Sequence, residues 1–411
     1  MYDVYEIRKQ FPMLDGNKKM QGKPLVFLDN ASTTLKPQCV IDATNRYYAE
    51  MTANSHRGDY DLCYFMDVEV AKAREAIAKF VNSEVNEVVF TSGDTEALNL
   101  VAYGYALKYL KEGDGILISE AEHASNSLPW FRIAELTKCS IYFINTDGRI
   151  TVGQVEKSLN KHPNIKLVSI AHVGNVLGYR VDVKAVAKLC HKHNALICID
   201  GAQSVPHLKT DFKDLDIDFL TFSAHKMCGP TGIGALVAKE KLLNDMDPFI
   251  TGGGMNVSFK NDGTYLLLEA PAKFEAGTLN LAGIMGFRAA VEFLSSIGME
   301  NIEEHEKELH AYLLDKMGNN EDVIIYNKDN DGSILTFNKK GVFAQDEATL
   351  LNSKGIAVRS GQHCAKMIDR LLGTPATVRM STYLYTTKEE IDVFVENLLN
   401  GGDILDAYFN D

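Results

Sequence analysis

The residues best suited to chemistry stand in Ser223-Ala224-His225-Lys226-Met227-Cys228-Gly229-Pro230-Thr231-Gly232-Ile233-Gly234. A lysine between an apolar run and a Gly-Pro turn is poorly placed for a solvated charge. Desolvation lowers an ammonium pKa and favours the neutral amine needed for a Schiff base. A surface lysine at a loop start is the plain alternative. Upstream, Asp200-Gly201-Ala202-Gln203 closes another apolar run, so an acid stands one strand before Lys226. A carboxylate there can hold a cationic ring nitrogen and keep the ring electron-withdrawing. An ordinary helix cap would also place an Asp at such a position.

Thr91-Ser92-Gly93-Asp94-Thr95-Glu96 reads as a strand, a turn and a helix start, whose free N–H groups and hydroxyls suit a phosphate. A ligand-free cap by Ser92 or Asp94 is the alternative. There is no Walker-type phosphate loop, and the glycines at 229, 232 and 234 lack dinucleotide spacing, so a nucleotide enzyme is unsupported. His123, after another apolar run, can stack on an aromatic cofactor or be an ordinary loop histidine. Cys190-His191-Lys192-His193 lacks the ligand spacing of a structural zinc site, and no metal is expected.

In the last third, Arg359-Ser360-Gly361-Gln362-His363-Cys364 puts a cysteine in a Gly-containing loop beside Arg and His. That electropositive setting favours a reactive thiolate. None of the other six cysteines (39, 63, 139, 190, 198 and 228) is so placed, and Cys190, Cys198 and Cys228 read as packing. Arg379, in Thr377-Val378-Arg379-Met380-Ser381, can clamp a carboxylate bidentately or serve a structural ion pair.

The elements that must position these residues follow from the apolar period. Runs at 87–91, 115–119, 166–171, 195–199 and 218–222 alternate with helical patterns, which predicts an α/β unit with a mostly parallel sheet. Each run ends in the polar residues named above, and open α/β sheets bind ligands at the carboxyl ends of their strands. From about 281 the texture changes. An amphipathic helix carries Ile302, Leu309, Leu313 and Met317, followed by a strand at 333–337 and a closing helix at 388–400. The expected division is a large α/β domain at 21–280 and a smaller α+β domain at 281–411, joined by residues 1–20.

The 411 residues carry 42 Lys and Arg against 55 Asp and Glu, a net charge of −13 that disfavours nucleic acid or anionic lipid as a main partner. Scattered cysteines, an N-terminus without a signal pattern and the lack of a ~20-residue apolar run point to a cytoplasmic protein with no membrane partner.

Together these residues resemble the class V aminotransferase family of fold type I pyridoxal-phosphate enzymes, and within it the SUF-type cysteine desulfurases. The resemblance runs from Phe27-Leu28-Asp29-Asn30-Ala31-Ser32 to Arg379 and includes Phe274-Glu275-Ala276-Gly277-Thr278. It implies pyridoxal 5'-phosphate on Lys226, with Asp200 at the ring nitrogen, Gln203 at the ring hydroxyl and His123 stacked on the ring. Asn175 would lie near ring and substrate. Thr95, Ser223 and His225 would bind the phosphate, with Thr278 reaching the phosphate site of a second subunit in a homodimer. Arg379, with Arg359 nearby, would hold the carboxylate of L-cysteine. Cys364 would accept the sulfur as a persulfide and pass it to a SUF-type acceptor protein for iron–sulfur cluster assembly.

Ser92 and Asp94 stand where SUF-type members commonly carry Arg and Thr, and Cys228 replaces a common Tyr. Gly252-Gly253-Gly254-Met255-Asn256 lacks the Glu usual after the glycines. A selenocysteine lyase or cysteine-sulfinate desulfinase would share every cofactor residue. An aminotransferase of the same family would need no Cys364, and a non-catalytic scaffold would need neither Lys226 nor Asp200.

Overall fold

The computed structural model describes residues 2–55, 58–330 and 332–402. Its centre is a seven-stranded sheet of β1 (Val88–Thr91), β2 (Gly115–Ser119), β3 (Ser140–Ile144), β4 (Ile165–Ala171), β5 (Leu196–Asp200), β6 (Phe219–Ser223) and β7 (Gly234–Ala238). The spatial order is β1-β7-β6-β5-β4-β2-β3. Only β7 runs against its neighbours, so the carboxyl ends of the other six strands share one edge. The five strands expected from the apolar runs are all present, each within one residue of its expected bounds.

The central strands are largely apolar because both faces are covered. In β2, Leu117 enters the core under one face, while Ile116 and Ile118 enter the core under the other. Helix α1 (Asp94–Val101) covers the second face beside β6 and β7. Asp182 caps α2 (Val183–Lys192) by accepting from Ala185 N, and α2 buries Val186 and Cys190 against the first face. His191, at its polar end, is taken by Asp218 and Asp216.

Helix α3 (Leu281–Ile297) starts at an Asn280 cap and buries Ile284, Phe287, Val291 and Leu294 in the core of the large sheet. That packing sets α3 against the large sheet. Gly298 then turns the chain into α4 (Met299–Met317). A four-stranded antiparallel sheet follows, formed by β8 (Val323–Ile325), β9 (Ile334–Lys339), β10 (Arg359–Gly361) and β11 (Thr377–Ser381) in the order β8-β9-β11-β10. Helix α5 (Lys388–Asn400), opened by a Thr387–Glu390 capping box, closes its apolar side with Phe394 against Phe337.

Two early segments are tied to elements of this second unit outside its four-stranded sheet. Val26–Phe27 pairs in parallel with Ile356–Ala357. The N-terminal helix Val4–Arg8 holds Glu390 through both guanidinium nitrogens of Arg8, at 2.8 and 3.0 Å. No single helix among the described residues is long and apolar enough to cross a membrane.

Candidate active site

The shared carboxyl edge of the large sheet faces β10 and β11 across a cavity of about 200 Å³. The cavity is lined by Thr95, His123, Asn175, Asp200, Gln203, Ser223, His225, Lys226, Arg359 and Arg379, all of them expected from the sequence. Lys226 ends a short 3-10 turn directly after β6. The turn closes on Gly229, where a Cβ would sit 2.7 Å from the Ala224 Cβ and 2.9 Å from the Ala224 carbonyl oxygen, so only glycine fits. Burial pulls the Lys226 ammonium down, as do the charges of Arg379 and Arg359, while Asp200 and Asp94 act against that shift. The result is an amine biased toward its neutral, nucleophilic form.

Asp200 ends β5 and is buried, with Oδ1 accepting from Ala202 N at 2.9 Å. Burial raises its proton affinity, and the nearby Lys226 charge lowers it. Gln203 is fixed by donating from Nε2 to the Ala31 carbonyl at 2.7 Å. Ser125 N donates to His123 Nδ1 at 3.1 Å, which leaves the ring proton of a neutral imidazole on Nε2. Burial, with the charges of Lys226, Arg359 and Arg379, pulls His123 down to about 4, so the ring is neutral at neutral pH. A neutral aromatic face in the same cavity as Asp200 suits stacking on a flat ring.

One end of the cavity is hydroxyl-rich. Thr95 Oγ1 meets Ser125 Oγ at 2.7 Å, and Ser223 Oγ accepts from Asp94 N at 2.7 Å where α1 begins. With the α1 N-terminus, these hydroxyls form the donor set an anion requires. His225 Nδ1 lies 3.2 Å from Thr33 Oγ1, and burial with the Lys226 charge lowers its pKa to about 4.

The other end is cationic. Arg379 is 1% exposed and donates to the Asn175 carbonyl at 2.7 Å and Ser32 Oγ at 2.9 Å. Its Asp29 contact is longer, at 3.3 Å, and its Nε is buried without a partner among the described residues. Arg359 donates to the same Ser32 Oγ at 3.1 Å and, through Nη2, to Cys364 Sγ at 3.2 Å. Cys364 is exposed, as is Cys39, whereas the other five cysteines are buried.

The Cys364 loop is docked on the cofactor wall by its backbone. Ala124 N donates to the Cys364 carbonyl at 2.8 Å, and Asn175 Nδ2 donates to the His363 carbonyl at 2.8 Å. His363 and Cys364 both take positive φ, +51° and +59°, a conformation that costs a side-chain-bearing residue energy. His363 Nε2 is 2.9 Å from Thr377 Oγ1, which anchors the strained pair to β11.

Thr278 is the expected residue that stands apart. Its hydroxyl accepts from Asn54 Nδ2 at 3.1 Å, in a separate cavity with Ser92, Glu275 and Asn280. Other residues of the site escaped sequence reasoning. Ser32, which joins the two arginines, and Asp29 stand in the quoted run 27–32 without an assigned role. Ser125 and His363 line the cavity too. Their only sequence signal is adjacency to His123 and Cys364.

The donor set fits pyridoxal phosphate. Asp200 can meet a pyridinium, Gln203 a ring hydroxyl, the hydroxyl-rich helix start a phosphate, and Lys226 an aldehyde. Residues 26–394 match the family described as aminotransferase class-V. A probable cysteine desulfurase of Halalkalibacterium halodurans is 43% identical, covering 96% of this chain and 97% of its own. The cysteine desulfurase of Haloferax volcanii is 39% identical, covering 96% of each. Among solved structures, the cysteine desulfurase CsdA of Escherichia coli superposes with a TM-score of 0.88 at 33% identity over 99% of each chain. The cysteine desulfurase of Thermococcus onnurineus NA1 does so with 0.90 at 34%, over 98% of this chain and 99% of its own. With these sequence and structural matches spanning nearly its whole length, the chain belongs to the class-V aminotransferase family and, within it, to the cysteine desulfurases.

Proposed function

We infer that this protein is a pyridoxal-phosphate-dependent cysteine desulfurase that takes sulfur from L-cysteine onto Cys364. The observation that carries the reading is Arg359, which lines the cofactor cavity and also donates to Cys364 Sγ at 3.2 Å. One side chain thus joins the substrate end of the cavity to the only exposed cysteine beside it.

The bound cofactor supplies an electron sink for charge developing at the substrate Cα. Arg379 and Arg359 converge on Ser32 Oγ, and an amino-acid carboxylate at that point would receive both guanidinium groups. Lys226, biased toward its neutral form by burial, is placed to accept the Cα proton. Asp200 would hold the ring nitrogen in its cationic form, and the neutral His123 ring would lie against the cofactor face. The Cys364 sulfur forms a bond to the substrate sulfur as the substrate C–S bond breaks. Cysteine leaves as alanine after proton return, and Cys364 becomes a persulfide, so atoms and electrons balance without an added oxidant.

Two further parts complete the reading. A homodimer is supported by Thr278 lying outside its own chain's cavity and by the exposed apolar side chains of Phe249, Ile250, Phe259 and Tyr265. The exposure of Cys364 supports transfer of the persulfide to another protein, for which the family resemblance suggests a SUF-type acceptor serving iron–sulfur cluster assembly. Mass spectrometry of the Cys364 peptide after incubation with cysteine tests the reading: one added sulfur, with equimolar alanine, is expected. Alanine release that continues unchanged in Cys364→Ala would overturn it.

A further inference from the structure

Asp94 lines the cavity and has no part in the roles given above. It opens α1, the residue is 7% exposed, and its Oδ1 is buried without a hydrogen-bond partner among the described residues. Its surroundings are defined by the large sheet. Asp200 and Thr221 are Cα partners on the parallel strands β5 and β6, so their side chains leave the sheet on one face. That is the face α1 covers. The Thr221 hydroxyl lies close enough to favour a charge on Asp94, yet neither Thr221 Oγ1 nor Asp94 Oδ1 makes a well-aligned hydrogen bond.

The groups that face Asp94 are Asp200 and the Cys198 thiol from β5, Thr221 from β6 and Lys226 from the turn beyond. Two buried carboxylates therefore stand beside one lysine, itself biased by burial toward the neutral amine. An unpaired buried carboxylate is far costlier than a buried neutral acid, so one of the two takes a proton. Asp200 has Lys226 and the Ala202 N–H to hold its charge, whereas Asp94 is raised by its own burial and by the Asp200 charge. That difference favours Asp94 over Asp200 as the holder of the proton.

We propose that Asp94 is a positioning acid of the cofactor site, protonated at neutral pH, which gives its hydrogen bond toward Asp200 beside Thr221 and so weakens the grip of Asp200 on the ring nitrogen. No proton leaves the site in this arrangement. The inference rests on the assignment of Asp200 to the ring nitrogen. An unprotonated Asp94 would instead add a second negative charge near the phosphate end, where Ser223 and Thr95 stand.

Infrared spectra of the cofactor-free protein at pH 7 test the protonation directly. Other buried acids also contribute, so the wild-type minus Asp94→Asn difference is the readout. A neutral-carboxyl band that moves in deuterium oxide is expected in the difference, and its absence overturns the proposal. In the holoenzyme, the pH titration of the bound-cofactor absorbance tests the coupling. Asp94→Asn, whose amide can still donate, should follow wild type, and Asp94→Ala should shift the midpoint by about one pH unit. Coincident wild-type and Asp94→Ala curves overturn the coupling, and Asp94→Val, which also lacks a donor, replaces the alanine variant if that variant does not fold. An Asp200→Asn holoenzyme that titrates like wild type would sink the Asp200 assignment instead, while leaving the infrared band in place.

Discussion

Arg359 and Arg379 are Cα partners across the antiparallel pair β10 and β11, and both guanidinium groups donate to one hydroxyl, Ser32 Oγ, at 3.1 and 2.9 Å. Two like charges converging on one neutral oxygen repel each other, and an anion between them relieves the repulsion. Burial, with the Arg359 charge, pulls Arg379 down to about 10 against the effect of Asp29, so it remains cationic at neutral pH.

Arg379→Ala should therefore raise KM for cysteine by roughly 10–100-fold, the loss of charge-assisted bonds to the carboxylate. Arg379→Lys should recover only part of this, because an ammonium cannot reproduce the fork that reaches Ser32 and Asn175 together. Arg359→Ala keeps one guanidinium on the carboxylate and removes the donor on Cys364 Sγ, so persulfide yield per turnover should fall more than KM rises. Steady-state kinetics beside single-turnover sulfur labelling separate the two, and an unchanged KM in Arg379→Ala would remove it from the carboxylate site.

Cys364→Ser should abolish persulfide formation while leaving cofactor absorbance and melting temperature near wild type, because Cys364 is exposed and its anchoring bond uses the backbone carbonyl. Cys39→Ser is the control, since Cys39 is the other exposed thiol and lies outside the cavity. Persulfide found on Cys39 in the Cys364→Ser protein would redirect the sulfur path.

His363 supplies a pH-dependent test of the loop. Burial, with the charges of Arg379 and Arg359, pulls its imidazole down to about 3. A histidine whose folded pKa lies below its unfolded value of ~6.5 binds more protons when unfolded, so its contribution to stability falls as pH drops below about 6.5. His363→Gln cannot titrate and its amide can still meet Thr377. Relative to wild type, it should gain up to about 1.4 kcal/mol per pH unit between roughly pH 6 and 4. Urea unfolding of both proteins at several pH values measures this, and parallel curves would show His363 already solvated.

The buried carboxylate beside His123 makes a further prediction. Glu122 accepts from Ser119 Oγ, Asn126 Nδ2 and Ala171 N, and burial pushes its pKa up to about 7 despite these donors. Glu122→Gln turns one acceptor into a donor facing donors, which should cost about 1–3 kcal/mol. A melting temperature equal to wild type would mean that Asn126 or Ser119 re-orients without loss.

Much of this architecture was legible in the sequence because the strands that carry the site are buried on both faces, and buried strands are written as unbroken apolar runs. Gly115–Ser119 was bounded to the residue. Ser140–Ile144 lies at the sheet edge, where Phe143 is exposed, and its polar start hides it. Gly234–Ala238 follows a glycine-rich turn and reads as its continuation. Lys226, Asp200 and Cys364 stood out because each breaks the expectation of its local segment. Ser32 carries no such signal: an ordinary serine in a loop acquires its role only when β10 and β11 bring two arginines to it from more than 300 positions away. Asp94 was visible as a candidate helix cap in the phosphate motif and as a departure from a family pattern, and its proximity to Asp200 is a product of sheet register.

Thr278 supports the last prediction, which concerns assembly. A residue expected at a phosphate yet placed outside its own chain's cavity is explained if that phosphate belongs to a second copy. The hairpin Asn256–Phe259 and Tyr265–Leu267 exposes Phe259 at 78% and Tyr265 at 64%, an apolar surface that water does not favour. Phe259→Asp with Tyr265→Asp should shift the protein from dimer to monomer in sedimentation, and the monomer should bind pyridoxal phosphate more weakly. Thr278→Ala should weaken cofactor binding in a protein that stays dimeric, since it removes a hydroxyl and leaves the hairpin intact. A monomeric wild type that binds the cofactor fully would show that the site is complete within one chain and that the hairpin serves another contact.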